Sequence, residues 1–414
     1  MLHLFTFCAR IQYMKKVFLI ILVLIGIVFI VNNTKKSNAE VVFWTLQMHD
    51  FAPYINKIIE DFEAENSGVK IKWVDVPFSE GEKRTLASVL SNNPPDLINL
   101  NPDFSAILAQ KGALEEISQK DCEQFVPEII NSLKYNGKIY SIPWYATSAV
   151  TIYNKKLLQK AGVELPQNYS SIEESAEIVK SKTGLYLFLP NITENDTMLK
   201  ILNKYGINSF VNIASLKSQE VFEIFKRLYS KNLIPKETIT HTHREVLEKY
   251  MSENIVLFQS GANFLNMIRE NAPETYKNTD IAFQITGDLG QYDFSLMNFV
   301  IPARAKYKTE ALRFALFLTN EKNQLELAQL TNILAVNKKA LENEFYTKYD
   351  KADLISKARV ISAKQLNKVQ PVLKSQKNQK EINSLINTAV QEILLDKAST
   401  KSILEKVSRN WKAL

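Results

Sequence analysis

The chain has 414 residues, 46% of them hydrophobic and 23% charged, a balance that fits a soluble globular protein and excludes disordered and collagen-like classes. Its length exceeds the usual range of a single hydrophobic core, so two domains are expected. The formal charge of +7 resides mostly in residues 1–39, which carry Arg10, Lys15, Lys16, Lys35 and Lys36 and no acid; the body that follows has 46 basic against 44 acidic side chains. Nucleic-acid binding wants a concentrated basic stripe, and this balance gives no reason to expect such a partner.

Lys15 and Lys16 precede Val17–Val31, an unbroken apolar run. A basic stretch, an apolar stretch and the small residues of Ser37-Asn38-Ala39 are the parts of a cleavable export signal, and Met14 then competes with Met1 as the true start. Against cleavage, Lys35 and Lys36 separate the run from that site, and the run falls short of the roughly 20 residues of a spanning helix. Export signal and uncleaved membrane anchor both remain open, and either places the body outside the cytoplasm. Cys8 lies before the run and Cys122 alone belongs to the body, so no internal disulfide forms and no lipid-accepting cysteine follows the run.

In the body, Val41–Thr45 has a buried-strand pattern, and Phe51, Ile55, Ile58, Ile59 and Phe62 follow at helical spacing until Gly68 stops the helix. Val69, Ile71 and Trp73 then alternate with Lys70 and Lys72, completing a β-α-β unit whose crossover should be right-handed. A helix around Glu82–Leu90 leads through Asn92-Asn93-Pro94-Pro95 to a strand at Asp96–Leu100. Strands alternating with helices define an α/β lobe. Ligands gather at the carboxyl ends of such strands, here in loops carrying Gln47, His49, Asp50, Glu80, Glu82, Asn101 and Asp103. Loops are also polar simply because they face water.

Tyr135-Asn136-Gly137-Lys138 is a two-residue hairpin signal. It feeds Tyr140–Asn154, where extended residues on both sides flank Pro143-Trp144-Tyr145. Proline is poorly tolerated inside a central strand, so the chain is expected to leave one sheet at Pro143 and enter a second near Ser148. That arrangement reads as a hinge, and it would set Trp144 and Tyr145 at the mouth of an interlobe cleft; half-buried aromatics of a core are the alternative.

Beyond the hinge, a capping box at Ser170 or Ser171 opens a helix running to Lys182, and Leu185–Leu189 reads as a strand of a second α/β lobe. Further helices are expected near Met198–Tyr205, Gln219–Ser230 and His243–Met251, with strands at Ile255–Phe258 and Asp280–Thr286. Ser260-Gly261-Ala262-Asn263-Phe264 falls between strand and helix, where amides could meet a polar ligand atom or simply make a tight turn. Asn298-Phe299-Val300-Ile301-Pro302 repeats the strand-to-proline pattern of the first crossing. After it come helices at Thr309–Leu318 and Gln324–Leu330, a brief extended stretch at Leu334–Val336, and a helical, Lys-rich tail with an apolar stripe of Ile382, Leu385, Ile386, Val390 and Ile393.

No catalytic constellation stands out. The body has only His49, His241 and His243 as imidazoles, and the nucleophile-elbow, Cys-x-x-Cys and P-loop patterns are absent. The His241-Thr242-His243 pair would hold a metal only with further ligands. Loop carboxylates such as Asp50, Glu80, Glu82 and Asp103 leave room for glycoside hydrolysis, but no spacing singles out a pair.

Several pieces together carry a resemblance: F-W-T at Phe43–Thr45, F-E-A-E-N-S-G-V-K-I-K-W at Phe62–Trp73, N-P-P-D-L-I-N-L at Asn93–Leu100, K-G-A-L at Lys111–Leu114, N-G-K-I-Y-S-I-P-W-Y at Asn136–Tyr145, I-Y-N-K-K-L at Ile152–Leu157 and F-L-T-N at Phe317–Asn320. In their order and spacing, from Val41 to Tyr346, the chain resembles the extracellular solute-binding proteins of carbohydrate ABC importers, the family that includes maltose-binding protein. The resemblance implies an α/β, two-lobed periplasmic-binding-protein clamp with three interlobe crossings, near Pro143–Ala146, Met297–Phe299 and Leu334–Asn337. Lobe one would comprise residues 40–145 and 298–334, and lobe two residues 146–297 and 335–414.

It further implies a monomeric, non-catalytic receptor, without metal or cofactor, that delivers a carbohydrate to the membrane permease subunits of an importer. Glycerol phosphate or polyamine ligands are the alternatives within the same fold, and a glycan-processing enzyme the alternative outside it. By position, the ligand-binding residues carried over are Trp44, Gln47, Asn101, Trp144, Tyr145 and Gly261, with Glu82 and Asn298 as weaker transfers. Two departures are the missing lipid-accepting cysteine and the missing proline at Leu334–Asn337.

Overall fold

The computed structural model describes residues 39–331, 333–370 and 378–414. The apolar leader lies outside the described residues; among these, no helix is long and apolar enough to cross a membrane.

Among the described residues ten strands divide into two sheets, one per lobe. The first, in the order β10-β4-β9-β3-β1-β2, is built from β1 (Ala39–Leu46), β2 (Val69–Val76), β3 (Leu97–Leu100), β4 (Ile142–Thr147), β9 (Ser295–Val300) and β10 (Leu334–Ala335). Within it β1 runs parallel to β2 and β3, whereas β9 is antiparallel to both β3 and β4. The second, in the order β6-β7-β5-β8, comprises β5 (Val150–Asn154), β6 (Tyr186–Phe188), β7 (Ile255–Ser260) and β8 (Thr279–Ala282). The expected β-α-β opening is present, with helix Ala52–Glu65 between β1 and β2 burying Tyr54, Ile55, Ile58 and Phe62. Burial of that stripe, rather than helix propensity, supplies most of the helix's stability.

The hairpin signal is realised: Asn136 and Gly137 both adopt positive φ, at 49° and 80°, and Tyr135 pairs with Lys138. This double left-handed turn is the type I′ geometry that Asn-Gly favours.

None of the three crossings falls where the sequence places it: the first and third lie further along the chain and the second lies earlier. Pro143 does not end a strand; β4 continues to Thr147 in the lobe-one sheet, and the first crossing is the short Ser148-Ala149 link to β5. The register against β9 shifts between Pro143 and Tyr145, so the missing proline N–H falls at an irregularity instead of interrupting the ladder. The second crossing lies between β8 and β9, ahead of Met297–Phe299, because β9 belongs wholly to the lobe-one sheet. The third is a helix, not the Leu334–Asn337 strand. Ala340 and Tyr346 still pack into the lobe-one core, and helix Leu354–Gln365 buries Ala358 and Ile361 among lobe-two residues while Ala363 joins the lobe-one cluster. Helices Gln379–Leu394 and Thr400–Ala413 then return to lobe two, burying Ile382, Ile386, Val390, Ile393, Leu404 and Trp411.

The three crossings are tied to one another by two buried glutamines. The Gln284 amide donates to Ser148 Oγ (3.0 Å) and to the Ala149 and Asp293 carbonyls (3.1 and 2.8 Å). From the third crossing, the Gln365 amide reaches the same Ser148 Oγ (2.9 Å) and Ala149 carbonyl (2.8 Å), and its Oε1 accepts the Gln284 backbone N–H (2.8 Å). Each amide is buried and each has its bonds made, so the network fixes the relative placement of three strands of chain at little desolvation cost.

Candidate functional site

Between the lobes lies a cavity of about 440 Å³. Lobe one contributes Met48, Phe51, Tyr145, Leu327, Ile333 and Leu334 to its wall, and the opposing side contributes Gly261, Ala262, Asn263, Ile355, Arg359 and Ser362. Met48 reaches it through a strained turn: Gln47 takes φ 52°, its N–H donates to the Val76 carbonyl (2.9 Å), and Asp75 accepts the Met48 N–H (2.9 Å) and the Thr45 hydroxyl (2.6 Å). The turn leaves Gln47 exposed and Met48 buried. Across the cleft, Gly261 lies in the turn after β7, where an added Cβ would displace the Asn263 side-chain oxygen.

A second, polar pocket of about 170 Å³ is lined by Asn101, Asp103 and Leu296 of lobe one, Asp196, Lys200 and Asn203 of lobe two, and Asp293 and Gln370 from the crossings. Asn101 caps helix Pro102–Gln110, accepting the Phe104 N–H at 2.8 Å, and its own amide donates to Glu82 Oε1 at 3.3 Å. Burial pushes the Asp103 carboxyl up to about 6, and Asp196 and Glu82 add to the rise while Lys200 opposes it. Lys200 and Asp293 also line a third recess of about 180 Å³ in lobe two, with Tyr169, Phe188, His243, Phe258 and Gln259. His243 Nε2 lies 2.8 Å from Ser260 Oγ, and burial holds its imidazole below the usual histidine range.

Lys204 sits beneath these recesses, only 2% exposed, with Nζ 3.0 Å from Asp293 Oδ1, 3.2 Å from Gln284 Oε1 and 2.9 Å from the Ile285 carbonyl. A buried ammonium is tolerable only with such a full set of acceptors. It thereby links the second crossing to the polar pocket.

Of the residues expected from sequence, Tyr145 and Gly261 line the main cavity and Asn101 the polar pocket. Glu82 borders that pocket through its bond to Asn101. Trp44 is half-buried and lines neither pocket, packed against the buried cluster that includes Leu46, Val76, Ile98 and Leu100, with the guanidinium of Arg84 5.6 Å from its ring centroid. Gln47 lines neither pocket; its neighbour Met48 does so instead.

Two expectations are corrected. Trp144 is not a cleft ring: its exposure is 0%, and it stacks on Phe299 with centroids 4.6 Å apart, beneath Tyr145. Side chains alternate faces along β4, so a strand that presents Tyr145 to the cleft turns Trp144 into the core. Asn298 is likewise fully buried in β9, where its amide donates to Ser105 Oγ at 2.8 Å. Sequence reasoning missed Phe51, Ile333, Ile355 and Arg359 of the cavity, and Asp196, Lys200, Asp293 and Gln370 of the polar pocket. Their only local signal is polarity or helical spacing, which surface and core residues share.

Among the described residues no three His, Cys, Asp or Glu side chains are grouped to hold a metal ion. The arrangement is a binding cleft: two α/β lobes, three tied crossings, an apolar cavity walled from both lobes and, separately lined, the polar recesses.

The fold and cleft define a two-lobed solute clamp. By the match of residues 57–353 to the family model of bacterial extracellular solute-binding proteins, the chain belongs to that family. It is similar to a diacetylchitobiose binding protein of Streptomyces coelicolor, 24% identical over 311 residues that span 69% of this chain and 70% of the relative. A multiple sugar-binding protein of Streptococcus mutans is 24% identical over 318 residues, 70% of this chain and 73% of its own. Among solved structures, a candidate oligosaccharide periplasmic-binding protein of Synechococcus sp. MITs9220 superposes with a TM-score of 0.76 at 26% identity, covering 90% of this chain and 98% of that one.

Proposed function

We propose that this protein is an extracytoplasmic receptor that captures a carbohydrate between its lobes and delivers it to the permease subunits of an ABC importer. The observation that carries the reading is the cavity of about 440 Å³ walled from both lobes, with the Phe51 and Tyr145 rings on one side. Aromatic faces suit the apolar face of a sugar ring, while a few placed polar groups orient its hydroxyls and closure of the lobes excludes water. The names of the Streptomyces and Streptococcus relatives, which bind diacetylchitobiose and multiple sugars, support the same ligand class. The receptor acts as a monomer, and the apolar run Val17–Val31 either directs export or holds the body at the outer membrane face. Tyr145, Gly261 and Asn101 are its ligand contacts, with Met48, Phe51 and Arg359 added.

Calorimetry against a panel of mono- and oligosaccharides, glycerol phosphates and polyamines tests the reading. Binding of one sugar class in the micromolar range or tighter is expected. Saturable binding of a polyamine or glycerol phosphate, with every sugar silent, would replace the ligand class, and silence across the panel would sink the receptor reading.

One observation favours a second reading. Asp103, with its carboxyl raised to about 6 by burial and by Asp196 across the cleft, has the character of a general acid. A glycan-processing enzyme would release product from an oligosaccharide and lose that activity in Asp103→Asn. No turnover by the wild type is expected.

A further inference from the structure

Among the fifteen residues that wall the main cavity, Arg359 alone carries a formal charge, and no carboxylate is present there to balance it. Its guanidinium is held from behind. Nε donates to the Phe345 carbonyl at 2.7 Å, and the charged carbon lies 3.7 Å from the centre of the Phe345 ring. This contact fixes the planar fork and spends one of its five N–H donors, so four remain.

Among the described residues no acid is within ion-pair distance of Arg359. The nearest influence is Asp353, whose two oxygens already accept the Ile355 and Ser356 N–H groups at 3.0 and 3.2 Å as the cap of the same helix. Burial holds the guanidinium below its usual range, so the desolvation of this cation is not fully offset within the protein. A half-buried guanidinium, immobilised and unpaired at the wall of an apolar cavity, is a poor device for folding and a good one for recognising a planar anion. The separate polar pocket has the opposite character, with Asp103, Asp196 and Asp293 against Lys200.

Resting on the receptor reading above, we infer that the ligand is an acidic glycan whose carboxylate is held by Arg359 while Tyr145 and Phe51 cover an adjoining sugar face. A carboxylate offers two in-plane acceptors to the fork, whereas a single hydroxyl accepts one bond and leaves the charge unbalanced. The anionic residue then sits on the Ile355–Arg359 side of the cavity, and its neighbour lies against Tyr145 and Phe51 on the lobe-one side.

The test uses the full chain in mild detergent and titrates uronate-containing oligosaccharides (oligogalacturonate, alginate and glucuronoxylan fragments), each beside its carboxyl-reduced twin. At least one acidic probe is expected to bind tenfold or more tightly than its reduced twin, with a preference that weakens as salt rises. Arg359→Gln should abolish that preference, and Arg359→Lys, which keeps the charge without the fork, should retain part of it. The wild-type comparison stands even if a variant fails to fold. Equal affinity for the twins, or binding confined to neutral sugars, overturns the inference and leaves the receptor reading intact. Equal weakening of both twins in Arg359→Gln also overturns it, making the guanidinium a hydroxyl donor. Silence of every acidic and neutral glycan would overturn the carbohydrate reading on which the inference rests.

Discussion

In one pocket Met48, Phe51, Tyr145, Ile333, Leu334 and Ile355 surround a single arginine; in another Asn101, Asp103, Asp196, Lys200 and Asp293 crowd charges of both signs into less than half the volume. The first gains from removing apolar area from water, which is nearly indifferent to orientation. The second gains only when hydrogen bonds are made in the right places, because each polar group buried without a partner is costly. The apolar end and the polar end of this comparison should therefore answer differently to mutation.

The largest expected effect lies under the apolar end. Trp144 is fully buried and stacked on Phe299 below Tyr145. Trp144→Ala should cost about 3–5 kcal/mol of stability by emptying the core. Chemical denaturation of the unliganded protein measures it, and a near-normal midpoint with a large loss of ligand affinity would return Trp144 to the cleft.

Tyr145 comes next. Its ring lines the cavity, and burial pushes its hydroxyl up to about 12. Tyr145→Ala is expected to weaken binding by about 1–3 kcal/mol, as for a buried aromatic anchor. The apo melting temperature should move much less than in Trp144→Ala. Equal losses in both assays would erase the distinction between a cleft face and a core face of β4.

The smallest effect belongs to the acidic pocket and appears as a pH dependence. Asp103 titrates near 3.8 in an unfolded chain and about 6 in the fold, so the fold prefers its protonated form. Its favourable contribution is fully present below the lower value and is lost as pH rises through the upper one. Asp103→Asn should flatten that component of a melting-temperature profile between about pH 4 and 6.5. An unchanged slope would show that the carboxyl is solvated and that the polar end is looser than its geometry suggests.

Legibility from sequence varied with the range of the forces involved. Asn136-Gly137 announced its turn because the backbone strain of positive φ is local to two residues. Pro143 misled for a related reason. A proline's lost donor is a local fact, but whether it ends a strand depends on the partner, and here β9 accommodates it by a register shift. Trp144 and Tyr145 are adjacent and chemically alike. Which of them lines the cavity was decided by which face of β4 lies toward it, the other ring stacking on Phe299.

Sequence alone determined that the chain has a basic apolar leader, an α/β body of two lobes, and an aromatic stretch near a crossing, because periodicity, turn chemistry and composition act over short distances. It also carried the family resemblance through the order of its short motifs. Tertiary structure alone decided where the crossings fall, that the third of them is a helix, and that Gln284 and Gln365 tie them together. It alone brought Arg359 to a cavity shared with Phe51, more than 300 residues away in the chain. Contacts at such separation depend on how whole sheets and helices stack, and no local pattern in a Lys-rich helical tail distinguishes an arginine facing a ligand from one facing water.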